Sequence, residues 1–260
     1  MSSSGHLVIF FTLFGEPEES NLAFTVFLHL ATLMAVIIVF YKDVWILVRE
    51  FFTSITDIVR GKPDFKAPER RFLLLVIVGT IPVAIAGVSI KMLEVEKGLE
   101  NIFVVAVMLL VTAALMFVVD RFKDGKYTEA DTPIKSAVIV GMMQALALLP
   151  GLSRSGSTIF GGLLGGMTKE FAVRFAFILS IPAVIGAGMV ELLDVIKMGN
   201  VEINTLSWMV GFVATLISGI LAIRVIKALI RSNRFYLFGV YCLCAAAVAF
   251  LIGFGVIGVN

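Results

Sequence analysis

Long apolar runs, separated by short connections that carry most of the charge, set the plan of this chain. Six runs reach the roughly 20 residues a helix needs to cross the hydrocarbon core. They lie at about 22–41, 71–90, 100–119, 170–193, 205–227 and 235–258. Three further apolar pieces, 6–14, 134–149 and 159–168, are too short to cross, and the last two flank the polar stretch PGLSRSG. Residues 43–59 follow a different pattern. Their apolar positions 44, 47, 48, 51, 55 and 58 recur at helical spacing. That pattern predicts a helix lying in the membrane interface, or alternatively an extension of the span before it.

Composition supports the same reading. Hydrophobic residues make up 59% of the 260 residues and charged residues 15%, against about 25% charged in soluble domains. The mean hydropathy is +1.03. The expected fold class is an all-α polytopic membrane protein with one membrane domain over residues 1–260. So apolar a chain has no room for a soluble nucleic-acid-binding surface. Its N-terminus lacks the basic start and cleavage site of a signal peptide. Cys242 and Cys244, two apart on one helix, face different ways and match no metal spacing. They read as packing residues.

Lysine and arginine set the orientation. The 42–71, 120–135 and 224–234 connections are rich in both, whereas 15–21 has neither, 91–99 has Lys91 and Lys97, and 194–204 has only Lys197. The basic connections (42–71, 120–135 and 228–234) are therefore expected in the cytoplasm, with the C-terminus outside. Walking the spans, everything from 134 to 168 must enter the membrane and leave on one side. Two short limbs joined by a Pro/Gly/Ser turn at 150–158 predict a re-entrant helical hairpin. Its turn must be buried in protein or line a wet cavity, because bare backbone is not tolerated in lipid.

The N-terminal MSSSGHLVIF repeats features of this hairpin. Ser4-Gly5 is followed by Gly15, ten residues after the first glycine, and Ser155-Gly156 by Gly166 at the same interval. Each copy continues through a polar link into a Phe-rich span. The copies enter from opposite faces, which predicts an inverted repeat with halves at about 1–119 and 134–258. Paired broken segments in such repeats point to the binding site. The first copy lacks the upstream limb that the second has.

Candidate chemistry gathers at the two clusters. Arg154 stands among Ser153, Ser155, Gly156, Ser157 and Thr158. An arginine at membrane depth costs about 2.5–3.5 kcal/mol on insertion scales, so it needs an anion or a wet cavity. Its planar fork suits phosphate, and glycines and hydroxyls at a helix start add donors. The plainer alternative is that Arg154 pairs with a buried carboxylate and the serines cap a helix. In the first cluster Ser2, Ser3 and Ser4 adjoin His6; a serine and a histidine two or three residues apart at a turn can meet as nucleophile and base, or the serines are only an N-cap. His29 and Gln144 either line a cavity or hydrogen-bond between helices. Arg174 is expected to snorkel to the headgroups. GGLLGG (161–166) allows close helix approach, and Pro82 and Pro182 are expected to kink their spans.

These residues resemble the bacitracin-resistance type of undecaprenyl-diphosphate phosphatase. The matching stretches are SSSGHLVI (2–9), FLHLATLMAV (27–36), GTIPVAIAG (79–87) and, most specifically, QALALLPGLSRSGSTI (144–159). The resemblance implies an integral membrane hydrolase of the plasma membrane, with six spans and two opposed re-entrant hairpins. It would remove the terminal phosphate of a C55 polyprenyl diphosphate, at a site facing outside and with a divalent cation, Mg or Ca. By motif position Ser3 matches the proposed nucleophile, His6 the assisting histidine and Arg154 the phosphate-binding arginine. Ser153, Ser155, Gly156 and Thr158 match its supporting groups. The partners implied are polyprenyl diphosphate and membrane lipids, with room for a homodimer and none for nucleic acid.

One departure stands out. The family precedes this cluster with an acidic motif, E-G-x-x-E-F-L-P-V, whose glutamates serve metal and catalysis. Here Met1 stands at its last position, and Glu16, Glu18 and Glu19 do not match. The metal-binding glutamates are thus expected upstream of Met1. Met1 is expected to be a misassigned start at an internal GTG valine codon, and a chain truly beginning there to release little phosphate. A polyprenyl-phosphate flippase using the same basic pocket is the alternative function, and an inactive structural membrane protein a third.

Overall fold

The computed structural model describes residues 2–14, 21–60, 67–93, 101–198 and 205–257. Met1, Gly15, the glutamates at 16, 18 and 19, and parts of three of the connections lie outside the described residues. Ten helices account for nearly all of the rest. They are α1 (Ser3–Phe14), α2 (Asn21–Val39), α3 (Tyr41–Val59), α4 (Pro68–Met92), α5 (Ile102–Val119), α6 (Ile134–Leu146), α7 (Arg154–Leu164), α8 (Lys169–Met198), α9 (Thr205–Arg231) and α10 (Tyr236–Gly253). Five of them, α4, α5, α8, α9 and α10, are each long and apolar enough to cross a membrane, and the bent pair α2–α3 brings the count to six. The chain is an all-helical polytopic membrane protein.

The bend between α2 and α3 is 91°. It decides between the two readings of residues 43–59: α3 turns away from its span and does not extend it. Leu47 is buried on its inner face, while Trp45, Phe51 and Phe52 are exposed, as an interfacial helix requires. Arg70 at the start of α4 holds α3 in place through Asp57 at 2.8 Å and Glu50 at 3.6 Å.

Helices α6 and α7 form the short hairpin. With 13 and 11 residues, they span about 20 and 17 Å at 1.5 Å per residue, well short of the ~30 Å hydrocarbon core. Lipid tails are as apolar as leucine, so burial gives little drive for helix association in a bilayer, and close backbone approach takes over. The hairpin is built accordingly. A Cβ on Gly161 would lie 2.9 Å from the Met143 side chain and one on Gly165 2.8 Å from Ser136, both on α6. One on Gly162, on another face, would lie 2.9 Å from Ala172 of α8. Gly141 carries α6 against α4, where an added Cβ would be 2.2 Å from the Gly79 carbonyl oxygen.

The largest apolar cluster surrounds the first half of α8, where Phe171, Phe175, Ile178 and Leu179 meet Phe72 and Leu75 of α4. Cys242 is buried against α5, whereas Cys244 is exposed. Helix α8 runs through Pro182 and α4 through Pro82.

The structure corrects two expectations. Residues 154–158, read as turn, form the start of α7, because the Ser153 side chain caps that helix by accepting from Gly156 N at 3.3 Å. Arg174 does not reach for headgroups. It pairs with Asp43 at 2.5 Å and with Glu129, and lies 5.0 Å over the Phe72 ring. Two carboxylates brought in by α3 and the 120–133 connection satisfy it locally, and a sequence scan could not place them beside it.

Candidate active site

The two serine clusters meet. The Ser2 hydroxyl accepts from Gly5 N at 3.3 Å and from Gly151 N, on the second turn, at 3.1 Å. A Cβ on Gly5 would sit 2.8 Å from the Gly151 Cα, so the backbones touch. Gly151 itself has φ +94 and would bring a Cβ to 2.6 Å from the Val105 carbonyl oxygen. Only glycine meets both demands. The local caps are alike: Ser2 serves Gly5 N as Ser153 serves Gly156 N. In both copies the serine sits three residues before the glycine of the repeated Ser-Gly pair.

Thr112, fully buried in α5, fixes the second turn from the other side. Its hydroxyl accepts from Ser153 N at 3.0 Å and donates to a pair of carbonyls, Met108 at 3.0 Å and Gly151 at 3.1 Å. Sequence reasoning named Ser2 only among the three serines beside His6, and it missed Thr112. Ser2 is one of three adjacent serines with nothing to rank them. Thr112 had one signal, being the lone hydroxyl in an otherwise apolar run.

Several of the expected phosphate-binding groups are already committed. Ser153 and Gly156 N bond each other in the cap, and the Thr158 hydroxyl donates to the Arg154 and Ser155 carbonyls. Arg154 and Ser155 remain. The Arg154 guanidinium makes no hydrogen bond or ion pair among the described residues. The carboxylate within Coulombic reach is Glu191 of α8, which was missed although it lies inside a span. The pairing of Arg154 with a buried carboxylate therefore takes no direct form. The Arg154 and Ser155 N–H groups, the first two of α7, are likewise unbonded, whereas Gly156 N and Ser157 N are satisfied by Ser153. An arginine and two N–H groups left open at a helix start are a donor set that suits an anion.

His6 is fully engaged, but not with Ser3. Its Nδ1 lies 2.6 Å from the Ser2 carbonyl oxygen and its Nε2 2.6 Å from the Tyr241 hydroxyl. Ser3 is exposed, and its hydroxyl bonds nothing among the described residues. His29 reaches across from α2 to Glu191, 3.4 Å away. Gln144, fully buried, donates to the Leu179 carbonyl at 3.4 Å, an interhelical bond that leaves its Oε1 without a partner. Among the described residues no three of His, Cys, Asp or Glu gather as metal ligands. The described residues alone therefore do not make a cage for a divalent cation.

Comparison with known proteins places this arrangement. The model of the bacitracin resistance protein BacA matches residues 1–248. The undecaprenyl-diphosphatase of Methanosphaera stadtmanae is 40% identical over 93% of this chain and 87% of its own length. That of Methanobrevibacter smithii is 39% identical over 96% and 90%, and that of Thermosipho africanus 37% identical over 97% and 93%. On a match that runs nearly end to end, through both serine clusters, the chain belongs to the BacA family.

Proposed function

We propose that this chain hydrolyses undecaprenyl diphosphate to the monophosphate and phosphate. The observation that carries the reading is the Arg154 guanidinium and the first N–H groups of α7, all without partners among the described residues, next to the turn where the two serine clusters join. The diphosphatase names of the relatives support the same chemistry. None of them is named as a flippase, so that alternative is not favoured.

In this reading Arg154 and the α7 N-terminus hold the terminal phosphoryl group and take up the charge that builds on it. Phosphoryl transfer depends mostly on such positioning and electrostatics. The Ser3 hydroxyl, exposed and free of internal bonds, is the proposed nucleophile. As its oxygen bonds to phosphorus, the bridging P–O bond breaks and the polyprenyl monophosphate leaves. The serine proton passes to the medium or to His6, and water then releases phosphate from the serine. A divalent cation, Mg or Ca, is part of the proposal as a charge clamp on the diphosphate. No step is derived through it, because the described residues do not form its cage. The setting we propose is the plasma membrane, with the site facing outside, lipids as neighbours and a homodimer allowed.

Phosphate release from undecaprenyl diphosphate by the detergent-solubilised chain tests the reading. Ser3→Ala should abolish release while leaving binding of the lipid intact. Full activity in Ser3→Ala would remove Ser3 as nucleophile and leave water in its place.

A further inference from the structure

The bond that ties His6 to Tyr241 joins residues 235 positions apart, and nothing in the sequence pairs them. Its geometry fixes the tautomer of the neutral imidazole. A carbonyl oxygen can only accept, so the 2.6 Å contact to the Ser2 carbonyl puts the proton of the neutral ring on Nδ1. The Nε2 then carries the lone pair, and the Tyr241 hydroxyl 2.6 Å away donates to it. The two rings are near-parallel, 8° apart, with centroids separated by 5.6 Å. The ring is held at both nitrogens, and the basic one faces α10.

We infer that Tyr241 is a positioning residue for His6 in the proposed phosphatase reaction. A phenol can donate or accept. It donates to Nε2 while the ring is neutral and accepts from Nε2–H once the ring is protonated. A proton reaches Nε2 through the phenol, which hands its own to the ring as it takes one from the serine or from water, so the ring need not turn while the Ser2 carbonyl holds the other nitrogen. Tyr241 thus sits between the basic nitrogen and the rest of the site, unlike the third group of a catalytic triad, which holds the nitrogen turned away from the nucleophile. This role rests on the phosphatase reading for its purpose and on the two measured contacts for its geometry. Tyr241 is 48% exposed, so its hydroxyl is not locked in a core and can shift with the ring.

The chain has two histidines, so nitrogen NMR of imidazole-labelled protein in detergent resolves them, with His29→Gln assigning the pair. The wild-type His6 should show a protonated Nδ1 and an unprotonated, hydrogen-bonded Nε2. Tyr241→Phe keeps the ring but removes the hydroxyl. It should shift the Nε2 signal and let the two tautomers mix. In the release assay it should lower kcat by about 10-fold or more, the scale of one hydrogen bond to a charged group, with KM unchanged. Tyr236→Phe, on the same helix, should change neither. An unaltered His6 spectrum in Tyr241→Phe overturns the inference, and so does an unaltered kcat where the wild type is active. A wild type that releases no phosphate counts against the phosphatase reading alone, and the spectrum then decides the role of Tyr241.

Discussion

Two arginines twenty residues apart show how differently one side chain can be used. Arg174 is neutralised by its own protein: Asp43 and Glu129 pair with its two terminal nitrogens, and Phe72 lies beneath its plane. Arg154 has no such partner among the described residues, and Glu191 acts on it only from a distance. Leaving a charge out of water without a partner is expensive. A protein that supplies two carboxylates to one arginine and none directly to the other leaves the second open to an outside anion, as the proposed function requires. One cation holds helices together; the other, in the proposed function, takes phosphate.

The strongest challenge to that contrast is Arg154→Lys. Lysine keeps the charge and loses the planar fork that grips two phosphate oxygens. Phosphate release should fall by roughly 100-fold or more, the scale of losing an aligned donor to a transition state. The thermal midpoint should hold, because the Arg154 side chain bonds nothing among the described residues. A large drop in stability would mean that Arg154 has a structural role after all.

Arg174→Leu should do the reverse. It leaves Asp43 and Glu129 facing each other without their cation. Breaking a buried pair costs about 3–5 kcal/mol. Glu129 is 37% exposed and Arg174 27%, so solvent screening brings the expectation down to roughly 1–3 kcal/mol. A lowered melting midpoint in detergent, with normal activity per folded molecule, supports the contrast. An unchanged midpoint with lost activity would invert it.

The sequence disclosed the frame of this molecule more fully than its contacts. Apolar run lengths located the spans, the 43–59 periodicity marked α3, and the shortness of the limbs exposed the hairpin. These signals are local, carried by neighbours along the chain. The repeated Ser-Gly spacing also led to the two clusters that Ser2 and Gly151 join. What stayed hidden depends on partners far away in sequence. The acids that hold Arg174 come from residues 43 and 129, and the partner of His6 comes from residue 241. Which serine of a cluster caps and which stays free is decided by backbone direction. Ser153 and Thr158, both plausible phosphate donors by type, turn inward to α7. Ser3 and His6 make no bond for the same kind of reason: Ser3 opens α1, and the imidazole leans back to the Ser2 carbonyl.

The smallest effect would refine the contrast most. Glu191 is the carboxylate that Arg154 feels, and it also pairs with His29 at 3.4 Å. If Arg154 is reserved for phosphate, this negative charge works against the ligand, since both charges would lie near the same guanidinium. Glu191→Gln keeps the shape and removes the charge. A unit charge beyond contact distance in a partly wet site is worth on the order of 1 kcal/mol, about 5-fold in binding. The mutant should therefore be inhibited by inorganic phosphate at several-fold lower concentration, and the difference should shrink as salt screens the site. If Glu191 instead serves as the missing direct partner of Arg154, its removal would strip the arginine of support. Phosphate would then bind no better, the protein would melt lower, and the two arginines would differ only in the length of their ion pairs.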